Sequence, residues 1–77
     1  VRSPMVGVFY ASSAENAEQF VNVGSKVKKG DTLCIIEAMK LMNEITAEED
    51  GVIAEICATN GQIVEFGSDL FKIKRVS

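Results

Sequence analysis

Lys40 is the residue whose surroundings are hardest to explain by folding alone. It lies between Met39 and Leu41 in the segment E-A-M-K-L-M-N-E, residues 37–44. An exposed lysine is usually only a solvated charge, but soluble proteins tend not to place apolar side chains beside it at the tip of a turn. A lysine is normally an ammonium ion at neutral pH, and an ammonium ion is not a nucleophile. Its amine can therefore attack an activated acyl group only after it loses a proton. Lys40 is therefore the first candidate for chemistry.

Other residue types that carry chemistry are scarce. The sequence has no histidine, which removes the commonest general base and metal ligand. Its two cysteines, Cys34 and Cys57, both lie among apolar residues and are expected to be buried, reduced thiols. A zinc site needs about four nitrogen or sulfur ligands. We therefore expect no metal site and no catalytic residue, and a domain that binds, carries or assembles.

Length and charge exclude further classes. With 77 residues the chain can form one small domain with a thin core. Eight basic and eleven acidic side chains give a net charge of −3, so nucleic acid is not an expected partner. The longest apolar run, Leu33–Ile36, is far shorter than the roughly 20 residues of a membrane span, so no membrane partner is expected.

The glycines reveal an internal repeat. All six form pairs between the two halves of the chain, at spacings of 37 or 44 residues. The pairs are Gly24 with Gly61, Gly30 with Gly67, and Gly7 with Gly51. One supersecondary unit is therefore used twice, and we expect its glycines at turns that need a positive φ. Because the spacings differ by seven, the first copy must hold about seven extra residues, which we assign to a protruding loop within Ala11–Gln19.

The repeat predicts the fold class. Val6–Tyr10 and Val52–Ala58 are rich in strand-forming residues. Two such units would bury one face each against the other, as a flattened antiparallel barrel of about eight short strands with two-fold quasi-symmetry. The join between the copies, residues 38–45, is then expected at the end of the molecule opposite the chain termini.

The join breaks local rules. Residues 37–44 are good helix formers, and Ile35, Met39 and Met42 fall at helical spacing. The repeat instead requires a hairpin with Met39 and Lys40 at its tip. Two-residue hairpin turns prefer Asn-Gly or Asp-Gly because φ must be positive, so a Met-Lys turn is expected to be strained. Strain of this kind is often found at functional sites.

The motif Glu37–Lys40, E-A-M-K, resembles the biotin-attachment motif of biotin carboxyl carrier domains. The resemblance extends over nearly all 77 residues, including S-P-M-V-G-V-F-Y at Ser3–Tyr10, the segment Gly30–Ile45, and V-E-F at Val64–Phe66. It implies a flattened eight-stranded barrel over residues 1–77, with a protruding thumb at about 11–18 and the biotinyl hairpin at about 37–43. The seven-residue excess is similar to the thumb of the carrier subunits of multi-subunit acetyl-CoA carboxylases.

The resemblance also implies a set of site residues. They are Glu37, Ala38, Met39, Lys40 and Leu41 in the hairpin, and Ser12 in the thumb. Lys40 matches the lysine that forms an amide with biotin, and Glu37 matches an acid implicated in recognition by the biotin ligase. Ser12 falls where a thumb can touch the ureido ring. Two departures are Leu41, which replaces the commoner Met, and a thumb without proline.

The function that the resemblance implies is that of a carrier and not of an enzyme. Biotin protein ligase would attach biotin covalently to Lys40. Biotin carboxylase would then place a carboxyl group on the biotin, and carboxyltransferase would move it from carboxybiotin to acetyl-CoA, giving malonyl-CoA for fatty acid biosynthesis. The implied compartment is the bacterial cytoplasm, with the plastid stroma as a second possibility.

Three alternatives stay open at the level of the sequence. The chain could be the carrier domain of another biotin-dependent carboxylase or of a decarboxylase, although these generally lack the thumb. It could be a lipoyl carrier domain, although those typically show D-K-A around the lysine and here Lys40 lies between Met39 and Leu41. It could also be an unmodified interaction module that retains the motif.

Overall fold

The chain folds into two antiparallel β-sheets. The computed structural model describes residues 1–13 and 17–75. The strands are β1 Gly7–Tyr10, β2 Lys26–Val27, β3 Thr32–Ala38, β4 Leu41–Thr46, β5 Gly51–Ile56, β6 Ile63–Val64 and β7 Phe71–Lys74. One sheet has the order β4-β3-β1-β6 and the other β2-β5-β7. The predicted all-β class is confirmed.

A single core joins the two sheets. Phe9 and Ile36 from the first sheet and Ile53 and Phe71 from the second are at most 2% exposed and belong to one apolar cluster. The rings of Phe9 and Phe71 lie 6.0 Å apart between their centroids. The molecule measures 38 × 27 × 18 Å along its principal axes, which is the flattened barrel shape that the repeat predicts.

The repeat holds at the level of strand pairing. Val8 pairs with Glu37 between β1 and β3, and the equivalent residues of the second copy, Val52 and Lys74, pair between β5 and β7. The register agrees with the glycine spacings, because Val52 lies 44 residues after Val8 and Lys74 lies 37 residues after Glu37. The fold is therefore two copies of one unit, as expected.

The eighth strand is reduced to a single bridge. Arg2 and Asp69 form an isolated antiparallel bridge, and their repeat equivalents are Thr46 and Thr32, which pair between β4 and β3. An exposed ion pair joins Arg2 to Asp69 with Nε and Oδ1 at 3.4 Å. The described residues thus form seven strands, with this bridge in the place of the eighth, where the sequence predicts about eight strands.

Two of the glycines have a different role from the one expected. Four of the six have φ between 85° and 94°, in agreement with the prediction of turns. Gly7 and Gly51 instead begin strands and have no positive φ. A Cβ on Gly7 would lie 2.5 Å from the carbonyl oxygen of Glu37 and 2.6 Å from Cγ2 of Ile36. These glycines are required by close packing between strands, and the expectation of a turn was wrong for them.

The join between the copies forms strands rather than a helix. Residues 37–44 belong to β3, β4 and the turn between them, and no helix occurs in residues 1–13 and 17–75. The same part of the chain contains no helix able to cross a membrane. Val1 lines a cleft with Glu48 and Glu49, which follow the end of β4 opposite the turn. The first residue and the hairpin tip therefore lie at opposite ends, as the repeat predicts; Ser77 falls outside the described residues.

Candidate functional site

The hairpin tip adopts the backbone that its sequence disfavours. Ala38 pairs with Leu41, which leaves Met39 and Lys40 as a two-residue turn. Their φ values are 54° and 64°, and both lie in the left-handed region. That region costs an L-residue other than glycine roughly 1–2 kcal/mol. The expected strain is present, and the ladder of β3 and β4 is what imposes it.

The turn presents Lys40 among exposed apolar side chains. Lys40 itself is exposed, and Met39 is 93% exposed. Leu41 and Met42, the first residues of β4, are 64% and 54% exposed. None of these side chains is needed for the core. The amine therefore stands at the tip of the hairpin, exposed to solvent.

Asn43 braces the base of the turn. Its Nδ2 donates to the carbonyl oxygens of Ile36, at 3.2 Å, and of Leu41, at 3.4 Å. The contact with Ile36 joins β4 to β3 within three residues of the tip, and the contact with Leu41 stays within β4. Reasoning from the sequence missed Asn43. The sequence holds no signal for it, because its acceptors are backbone oxygens that only the hairpin brings together.

Tyr10 on the neighbouring strand holds the motif's acid. The Tyr10 hydroxyl donates to Oε1 of Glu37 at 3.2 Å. Tyr10 pairs with Ile35, so Glu37 lies two residues further along β3, diagonally across from it and on the same face. The hydrogen bond to the carboxylate and its negative charge raise the pKa of Tyr10 above its usual value. The sequence did not single out Tyr10, because the pair depends on the register between two strands.

The structure brings five of the six predicted site residues together. Glu37, Ala38, Met39, Lys40 and Leu41 form the turn and the last residues of the strands beside it.

Ser12 is not part of the hairpin and lies two residues after the end of β1, and its contact with a biotin on Lys40 stays a prediction. β1 runs antiparallel to β3, so residues after Tyr10 lead away from the turn, and Ser12 forms an isolated bridge with Gln19. Residues 14–16 of the predicted thumb lie outside the described residues.

The cysteines take no part in the site. Both are free thiols, with Cys34 fully buried and Cys57 only half-buried, so the expectation of burial holds for Cys34 alone. Burial raises the pKa of Cys34 to about 12. Burial also raises the pKa of Cys57, and the nearby charge of Glu55 adds to this effect. Among residues 1–13 and 17–75, no cluster of acids and cysteines could hold a metal ion.

The family follows from comparison with known proteins. Residues 1–73 match the protein family described as "Biotin-requiring enzyme". The chain belongs to this family. The family match covers the whole hairpin and all seven strands except the last residue of β7. Lys40, presented at the strained tip, is thus a residue of a biotin-requiring domain.

Relatives share the sequence over almost its full length. The biotin carboxyl carrier protein of acetyl-CoA carboxylase from Pseudomonas aeruginosa is 58% identical over 73 residues, which are 95% of this chain and 47% of that protein. The chloroplastic protein of the same name from Glycine max is 53% identical over 96% of this chain and 28% of its own length. The chain therefore spans about half of the bacterial relative and less of the plant one.

The fold is also similar to part of a solved enzyme. The urea carboxylase of Kluyveromyces lactis superimposes with a TM-score of 0.78 and is 33% identical, over 95% of this chain and 6% of the enzyme. A domain of this shape is thus a small part of a large carboxylase there.

Proposed function

We propose that this chain is the biotinyl domain of an acetyl-CoA carboxylase carrier protein, with biotin joined as an amide to Nζ of Lys40. The observation that carries the proposal is the Met39-Lys40 turn. A two-residue turn with both φ values positive is a poor place for these residue types, yet this chain keeps them there. Relatives that are more than half identical are named as biotin carboxyl carriers.

The residues around Lys40 fit an attached biotin. The side chain is exposed and forms no ion pair within residues 1–13 and 17–75, so acylation breaks no contact there. The apolar side chains of Met39 and Leu41 flank the base of the arm. Bound biotin would supply a ureido nitrogen that accepts a carboxyl group and gives it up again.

The chain's own contribution is to position one amine and then to tether what is attached to it. An enzyme that acylates Lys40 must first remove its proton, and the rigid turn holds the amine where that enzyme can reach it. The β3–β4 ladder and the Asn43 bridge keep the hairpin fixed, so only the lysine arm and the connections of the domain need to move. Tethering then raises the effective concentration of the cofactor at two separate active sites.

The partners that we propose are a biotin protein ligase, a biotin carboxylase and a carboxyltransferase. The ligase would attach biotin to Lys40, and the biotin carboxylase would place a carboxyl group on that biotin. The carboxyltransferase would then move the carboxyl group to acetyl-CoA, which forms malonyl-CoA for fatty acid biosynthesis. The domain would itself catalyse no step. Since the relatives include bacterial and chloroplastic proteins, we propose the bacterial cytoplasm or the plastid stroma as its compartment.

Transfer of a labelled carboxyl group tests this function. The ligase-treated chain is incubated with biotin carboxylase, ATP and radiolabelled bicarbonate, and then with carboxyltransferase and acetyl-CoA. We expect label on the wild-type chain, its discharge into malonyl-CoA, and neither on the Lys40→Arg variant. The arginine keeps the positive charge but cannot take biotin in this way. If the loaded chain keeps its label in the presence of acetyl-CoA but transfers the label to urea, the chain would instead be the carrier domain of a urea carboxylase, the enzyme whose domain its fold resembles.

A further inference from the structure

A side chain of the second copy holds the place where the excess segment of the first copy begins. Asn60 lies in the turn between β5 and β6, and its Oδ1 accepts a hydrogen bond from the backbone N–H of Ala11 at 2.9 Å. The carbonyl oxygen of Ala11 accepts another from the backbone N–H of Phe20 at 3.0 Å. Ala11 is only 9% exposed, and a backbone N–H in such a place needs an acceptor. The amide of Asn60 supplies it.

The residues held in this way form the base of the predicted thumb. We call Ala11, Ser12, Gln19 and Phe20 the thumb base. Ser12 and Gln19 form an antiparallel bridge next to the bond between Phe20 and Ala11, so the two arms of the thumb base lie side by side. These bonds close the thumb base on itself, whereas Asn60 ties it to another part of the fold.

The core fixes the position of the thumb base but leaves one rotation open. Ala11 and Val21, at its two feet, both belong to the apolar cluster. Two fixed feet still allow the segment between them to turn about the line that joins them. The bond from Asn60 fixes the peptide group between Tyr10 and Ala11, where the first arm departs, and so opposes this rotation.

The internal repeat shows that the fold does not require an amide at this position. The two turns make equivalent backbone bonds, from Gly61 to Phe9 at 2.7 Å and from Gly24 to Ile53 at 2.8 Å. The residue equivalent to Asn60 is Val23, whose side chain has no acceptor. The strand beside Val23 is β5, which continues to Ile56 without an excess segment. The amide thus occurs in the copy of the turn that adjoins the thumb base.

The thumb base lies away from the hairpin tip. Tyr10 pairs with Ile35, which precedes Met39 by four residues, and four residues of a strand span about 13 Å. A thumb that touches a biotin on Lys40 must lean back along the sheet over this distance. The direction in which it leaves the sheet therefore decides whether the contact forms.

We propose that Asn60 is a positioning residue for the carrier function, which holds the thumb base at the angle at which the thumb meets a biotin on Lys40. The inference rests on the proposed modification of Lys40 and on the predicted contact of Ser12 with biotin. Asn60 acts through Ala11 and has no contact with the hairpin of its own, because its turn adjoins the end of β1 where the thumb base starts.

Exchange of side chains between the two turns tests the proposal. Asn60→Val introduces the residue of the repeat equivalent, and Val23→Asn makes the reverse change as the matched control. Both positions are exposed, so neither change disturbs the core. Asn60→Asp keeps an oxygen acceptor and is the variant expected to restore the wild-type behaviour.

The unmodified chain reports on the anchor by nuclear magnetic resonance. In Asn60→Val, exchange of the Ala11 amide hydrogen should become about three- to tenfold faster, the scale of one hydrogen bond. The order parameters of the Ser12 and Gln19 amides should fall below about 0.6, while those of the strands stay near about 0.85. Val23→Asn and Asn60→Asp should give the wild-type values.

The biotinylated chain reports on the consequence. Attachment of biotin should shift the amide resonance of Ser12 in the wild-type chain, and this shift should fall by at least half in Asn60→Val. Biotinylation by the ligase should proceed with the same kcat and KM in both, because Lys40 and its turn are untouched. A purely structural asparagine would instead lower the melting temperature and speed the exchange of all core amides alike, with the shift of Ser12 preserved.

The outcomes separate the parts of the inference. Unchanged exchange of Ala11 and unchanged order of the thumb base in Asn60→Val would overturn the anchor. A biotinylated wild-type chain without a shift at Ser12, or Asn60→Val with the full shift, would overturn the positioning role. If the wild-type chain takes no biotin, the proposed function fails and the positioning role fails with it, while the unmodified chain still decides whether Asn60 anchors the thumb base.

Discussion

Relief of strain at the hairpin tip offers a quantitative test of the site's geometry. Met39 has φ 54° and is 93% exposed, so replacing it by glycine removes strain and almost no packing. The relief is roughly 1–2 kcal/mol, against which glycine's greater freedom in the unfolded chain costs roughly 0.5–1 kcal/mol. We therefore expect Met39→Gly to stabilise the fold by about 0.5–1 kcal/mol, which raises the melting temperature by about 2–8 °C.

Thermal unfolding followed by circular dichroism measures this effect, and Leu41→Gly is its control. Leu41 is also exposed, but it lies in β4 and has no positive φ. Glycine there should destabilise the chain by about 0.5–1 kcal/mol, because it only adds freedom to the unfolded state. The two variants should thus shift the melting temperature in opposite directions. A lower melting temperature for Met39→Gly, similar to that of Leu41→Gly, would refute the assignment of strain to the turn.

Three further predictions concern the body of the domain. Replacing residues 13–18 by Asn-Gly removes four of the seven excess residues, and it should keep the fold and change the melting temperature by only a few degrees, because Ser12 and Gln19 already form an antiparallel bridge that a two-residue turn can close. Loss of cooperative unfolding would contradict this. Gly7→Ala should destabilise the fold by at least about 1–3 kcal/mol in a denaturant titration, because the new Cβ meets the carbonyl oxygen of Glu37 and the side chain of Ile36. The free energy of unfolding should fall as the pH rises above 9, because burial raises the pKa of Cys34 to about 12 and the folded chain therefore holds the thiol proton more strongly than the unfolded chain does. The decline should be weaker in the Cys34→Ala variant.

Much of the fold can be read from the spacing of the glycines. The two spacings between the copies, 37 and 44 residues, relate the two strand pairings to each other. Once the pairing of Val52 with Lys74 is known, the spacings predict that Val8 pairs with Glu37. They also decide between a helix and a hairpin for residues 37–44, where local propensity favours the helix. Strand pairing prevails there over helix propensity, because β3 and β4 pair along their whole length, from the pair Ala38 and Leu41 to the pair Thr32 and Thr46.

The remaining features depend on information that the spacing does not contain. The Tyr10–Glu37 contact requires the register of β1 against β3 and the face on which each side chain lies. The role of Gly7 depends on how closely a neighbouring strand approaches its Cα, and a pattern of glycines alone suggests a turn instead. Asn43 was missed for a similar reason, since its two acceptors are backbone oxygens brought together only by the hairpin.

Intact mass after treatment with a biotin protein ligase, biotin and ATP tests most directly whether Lys40 is the acceptor. The wild-type chain should gain the mass of one biotinyl group, and peptide mapping should assign it to Lys40. The Lys40→Arg variant should unfold like the wild type and gain nothing. A biotinyl group on Lys40→Arg, or one mapped to any of the other five lysines of the wild-type chain, would contradict the account. A wild-type chain that takes lipoate from a lipoate ligase and no biotin would contradict it as well.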